Sequence, residues 1–198
     1  MKYPLYKAKV NTTDYDTGVY RVSLVEQPAT ETPWVIFSKD ERPQHFRIEN
    51  EEKRMVRGVI MLADTPIYRR NPETNFEYYL TFDKETLRTM AQKMLRFGYQ
   101  NNLNTDHDQS TWVEGMYMTE IFQTGDGISV EGFDVPDGTL MATYHVDSDD
   151  LWNRLKTGEF KGFSLEGYFN IEEVDEDNDA EMDEVLALLD KLKNKMNK

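Results

Sequence analysis

Seven short runs dense in β-branched and aromatic residues limit what this chain can fold into. They are YRVSLVE (20–26), PWVIFSK (33–39), MVRGVIML (55–62), FEYYLTF (76–82), WVEGMYMTEIF (112–122), TLMATYHV (139–146) and GFSLEGYFNI (162–171). Such residues fit a pleated, half-buried surface, and turn residues bound each run. GDG (125–127) and PDG (136–138) mark turns between strands. Two other segments repeat at helical spacing. In KETLRTMAQKMLRF (84–97), Leu87, Met90, Ala91 and Met94 share a face, Asp83 can cap the start and Gly98 can end the helix. In DDLWNRLKT (149–157), Leu151, Trp152 and Leu155 form the apolar stripe, with Asp147 or Ser148 as cap and Gly158 as stop. The pattern predicts an α+β domain over 1–170: a mostly antiparallel sheet or β-barrel with a few flanking helices.

At 198 residues the chain can bury a real core. It has no cysteine, which excludes a disulfide framework, a thiol nucleophile and a thiolate metal site. No apolar run approaches the ~20 residues that cross a bilayer as a helix, and MKYPLYKAKV has no apolar signal core. A soluble intracellular protein with no membrane partner is therefore expected. The net charge of −14 is uneven. Residues 171–184 carry nine acidic side chains and no basic one, and 185–198 carry four Lys against one Asp. The remaining body has 19 basic and 27 acidic residues, so it repels polyphosphate, and nucleic acid is not an expected partner. The same pattern predicts an acidic linker over 171–182. A short amphipathic helix over 183–198 would follow, with Val185, Leu188, Leu189, Leu192 and Met196 on one face, either as an assembly tether or as a solubilising tail.

The stretch GEFKGFSLEGYF (158–169) raises the question of function. Strand side chains alternate, so Ser164, Glu166 and Tyr168 share one face while Phe163, Leu165 and Phe169 share the other. The second set suits a core. The first could border a cleft, with Gly162 and Gly167 leaving the backbone open to a substrate. On the local pattern alone, Ser164 is either a nucleophile held on a rigid strand or a solvent-facing polar residue. A serine nucleophile needs a base, and the chain has three histidines. His107 lies in the polar stretch NLNTDHDQSTWVEG between Asp106 and Asp108, His145 ends a strand, and His45 precedes another. The consecutive residues Asp106, His107 and Asp108 diverge in most backbone geometries and lack further ligands at metal spacing, so no metal site or other cofactor is expected.

VSLVEQPA (22–29), RGVIMLADTPIYRRNPE (57–73), YYLTFDKETL (78–87), NTDHD (104–108) and WNRLKTGEFKGFSLEGYF (152–169) stand in an order that resembles the XkdF-like serine proteases of tailed phages. The resemblance covers roughly 20–170. It extends more loosely to prohead proteases, whose fold is similar to that of the herpesvirus assemblins, where serine and histidine act on a β-barrel. It implies a capsid maturation endopeptidase working inside the procapsid in the host cytoplasm. Scaffold protein and the extensions of the major capsid protein would be its substrates, with self-cleavage and self-association expected as well. It also implies Ser164 as nucleophile and His107 as base, whose side chains should then meet. Assemblins use a second histidine after the serine, and none follows Ser164 here. Glu166 is the first choice for the third member, with Asp106 and Asp108 behind it and His145 a weaker choice. Arg69 and Arg70 in IYRR read as turn-side surface residues. The rival readings are a catalytically inactive structural or scaffold-associated capsid protein of the same fold, and a peptide-binding module.

Overall fold

The computed structural model describes residues 3–26, 46–50, 53–71, 74–125 and 127–174. Along these residues run β1 (Leu5–Lys9), β2 (Gly18–Val25), β3 (Phe46–Asn50), β4 (Met55–Met61), β5 (Ile67–Arg70) and β6 (Glu77–Thr81). Helix α1 (Lys84–Phe97) and a 3-10 turn (Tyr99–Asn101) lead to β7 (Leu103–Thr105), β8 (Met116–Gln123) and β9 (Leu140–Val146). Helix α2 (Asp149–Lys156), β10 (Gly162–Tyr168) and β11 (Asn170–Glu173) complete the order.

Both helices begin and end where capping chemistry places them. Asp83 Oδ1 accepts from the Thr86 amide at 2.7 Å, and Gly98 takes the left-handed conformation that closes α1. Ser148 caps α2 through the Leu151 amide at 3.2 Å. The strands form three sheets, ordered β11-β1-β6-β5, β10-β2-β7 and β3-β4-β9-β8. Among the described residues none closes on itself into a barrel. Two pairings are parallel, β1 with β6 and β2 with β7, each a connection that a hairpin turn cannot make. One apolar cluster joins the sheets and helices. Val22, Leu24, Leu87, Leu103, Ala142 and Tyr144 are all fully buried within it.

Some expectations shift. GFSLEGYFNI is two strands: β10 stays paired with β2 through Tyr168, past a register shift between Glu166 and Gly167, and from Asn170 the chain pairs with β1 as β11. β11 includes residues 171–173, so ordered structure runs past the expected start of the acidic linker. WVEGMYMTEIF yields β8 only from Met116, after Gly115 at φ 70°. Arg69 and Arg70 lie within β5 and not in a turn. PWVIFSK, His45 and the segment 175–198 lie outside the described residues.

Candidate active site

The three-stranded sheet β10-β2-β7 has two chemically distinct faces. Val22 and Leu24 of β2, Leu103 of β7 and Phe163 of β10 turn into the core, none more than 2% exposed. Alternation then puts Arg21 and Ser23, Asn104, and Ser164 and Glu166 on the opposite face. Register decides which of these meet. Ser23 pairs with Asn104 on one side and with Ser164 on the other, while Arg21 pairs with Glu166. A row of three polar side chains thus crosses the sheet, and it is closed off from solvent: Asn104 1%, Ser23 0% and Ser164 5% exposed.

The segment after β7 covers this row. Asp106 and His107 both have positive φ, 49° and 59°, and the Asp108 amide returns to the Thr105 carbonyl at 2.9 Å. That is the pattern of a type I′ turn, a backbone that β-carbon residues adopt at a cost of roughly 1–2 kcal/mol each. The turn folds His107 back over β2. The loop is then pinned by Thr111, whose hydroxyl lies 3.0 Å from that of Thr105, and by a backbone bridge between Trp112 and Asn104. The Trp112 ring lies over the Arg21 guanidinium, 5.0 Å away.

The polar groups converge on one point. His107 Nδ1 lies 3.0 Å from Ser23 Oγ and 3.4 Å from Glu166 Oε1. Ser23 Oγ is also 2.9 Å from Glu166 Oε1 and hydrogen-bonded to Asn104 Oδ1. Asn104 Nδ2 donates to Glu166 Oε1 at 2.7 Å, and Arg21 Nη1 stands 3.7 Å from Glu166 Oε2. Burial pushes the Glu166 carboxyl up. The Asn104 and Ser23 hydrogen bonds and the nearby Arg21 and His107 charges outweigh it, holding Glu166 below the usual glutamate range. Glu166 is therefore an ionised acceptor at neutral pH.

Of the residues singled out by sequence, His107 and Glu166 are in contact. Ser164 shares their sheet face, but no hydrogen bond joins it to His107; the serine that His107 touches is Ser23, one strand nearer. Asp106 Oδ1 instead accepts from the Glu26 amide at 3.3 Å, and Asp108 Oδ1 from the amide and hydroxyl of Ser110 at 2.8 and 2.7 Å. His145 belongs to a different sheet, stacked on Tyr117 and 3.2 Å from Asp147. Arg69 and Arg70 also sit in a different sheet from the site. Gly167 has a packing role: a β-carbon there would stand 2.6 Å from the Gly18 carbonyl oxygen and 2.7 Å from Phe169, so the close approach of two backbones excludes one. Sequence reading overlooked Ser23, Asn104 and Arg21. Their signal was the polar face of YRVSLVE and the asparagine three residues before His107.

Comparison with known proteins adds one finding. A family model described as "Putative phage serine protease XkdF" matches residues 44–173. The match contains Asn104, His107, Ser164 and Glu166 but not β2. No curated protein and no solved structure matches the chain.

Proposed function

The chain belongs to the family described as "Putative phage serine protease XkdF", and from that premise we propose that it is a serine endopeptidase of virion assembly. The observation that carries this reading is the His107 imidazole, anchored through Nδ1 beside an ionised Glu166 on the sheet face that bears Ser164. In the proposed reaction, Ser164 Oγ attacks the scissile carbonyl carbon as its proton passes to His107 Nε2. The carbonyl electron pair moves onto oxygen, where backbone amides near Ser164 would hold the oxyanion. Collapse of the intermediate breaks the C–N bond, and the Nε2 proton leaves with the amine. Water, deprotonated by the same nitrogen, then releases the acyl group from Ser164. Glu166 balances the imidazolium formed in each half-reaction.

Scaffold protein and the extensions of the major capsid protein, met inside the procapsid in the host cytoplasm, are the proposed substrates. Self-cleavage and an assemblin-like origin of the fold belong to the same proposal. The test is labelling with a fluorophosphonate, followed by peptide mapping of the adduct. Adduct on Ser164, lost in Ser164→Ala and His107→Ala, supports the reading. A folded protein that takes no adduct, and leaves co-expressed scaffold and coat chains uncut, would make it a structural capsid component instead.

A further inference from the structure

Ser23 lies outside the matched region, yet it makes the shortest serine contact with His107. Proton counting decides what that contact is. A serine hydroxyl has one proton to give and lone pairs to receive. Ser23 Oγ has three neighbours: Asn104 Oδ1, Glu166 Oε1 and His107 Nδ1. The Asn104 amide cannot be turned round. Its Nδ2 faces Glu166 Oε1 at 2.7 Å and the Asp108 carbonyl at 3.3 Å, and reversal would set oxygen against oxygen at both places. Asn104 Oδ1 and ionised Glu166 are therefore both pure acceptors toward Ser23. If Ser23 gave its proton to His107, both of those oxygens would face its bare lone pairs at contact distance. With Ser23 donating to one of them and accepting from Nδ1–H, only one oxygen is left against a lone pair and the imidazole contact is made, so this is the favoured arrangement.

We propose that Ser23 is a positioning residue: its buried hydroxyl accepts the Nδ1 proton of His107 and, with Asn104 and Glu166, fixes the tautomer whose Nε2 is the free base. Ser23 is then not the nucleophile, since its neighbours already commit its proton. It is also wholly buried on the central strand. The His107 ring, by contrast, is 44% exposed, and its Nε2 makes no hydrogen bond among the described residues. The role of Ser23 in catalysis rests on the peptidase reading above, but the tautomer does not.

The experiment is long-range ¹H–¹⁵N correlation of the histidine rings at neutral pH, in the full chain and in Ser23→Ala, with His107 assigned through His107→Gln. The parent is expected to show a protonated Nδ1 and a bare Nε2 for His107. Ser23→Ala is expected to show mixed tautomers, and fluorophosphonate labelling at Ser164 about tenfold slower, the scale of one lost hydrogen bond. An Nε2–H tautomer in the parent would overturn the proposal, whether or not Ser23→Ala folds. So would an adduct mapped to Ser23, or a Ser23→Ala protein with unchanged tautomer and labelling within twofold. If the tautomer shifts as expected but neither protein labels, Ser23 positions His107 and it is the peptidase reading that fails.

Discussion

Replacing Glu166 by Gln tests the site most directly, because it removes a charge while keeping the shape. Two unit charges 3.4 Å apart, the separation of Glu166 Oε1 and His107 Nδ1, attract by about 5 kcal/mol at an effective dielectric of 20 and about 1 kcal/mol in water. The Glu166 side chain is only 11% exposed but the His107 ring is 44% exposed, so solvent screens one side of the pair. A value of about 2–3 kcal/mol follows, and it applies to the transition state, where His107 becomes a cation. The second-order rate of fluorophosphonate labelling should therefore fall roughly 30- to 150-fold in Glu166→Gln. Intact-mass spectrometry against time gives the rate, and circular dichroism confirms the fold. Labelling within threefold of the parent, in a folded variant, would show that the carboxylate does not support the imidazolium, and the arrangement would lose its mechanistic meaning.

The same variant makes a pH prediction. The folded pKa of Glu166 is depressed, so its contribution to stability is full above the unfolded glutamate value near 4.3 and is lost as pH falls through the folded value. Urea midpoints of parent and Glu166→Gln should differ by a constant amount from about pH 7 to 5 and converge below about pH 4. Asp108→Asn should leave the labelling rate within threefold, because Asp108 caps Ser110 and does not touch the imidazole; a larger loss would give that carboxylate the orienting role. Gly167→Ala should destabilise the fold by about 1–3 kcal/mol in urea titration, since its β-carbon would collide with the Gly18 carbonyl at 2.6 Å. A change under about 0.5 kcal/mol would mean the two strands can separate there without loss.

Local chemistry is legible in this sequence because it acts over a few residues. Asp83 and Gly98 bracket a helical repeat, and the structure starts and stops α1 between them. Alternation in GFSLEGYF divides Phe163 from Ser164 and Glu166, and β10 presents them to opposite faces. Partnership across strands is a different kind of information. Ser23 and Asn104 are 81 residues apart, and Ser23 and Glu166 are 143 apart. Nothing in either local pattern sets the register that brings them within a hydrogen bond. That register follows from burying Val22, Leu24, Leu103 and Phe163 against one core, since a slip of one residue would turn the polar row inward. The sequence by itself made Ser164, His107 and Glu166 conspicuous. Only the packed sheet decided that the hydroxyl against the imidazole is that of Ser23, because proximity across strands is determined by the whole core and not by any one segment.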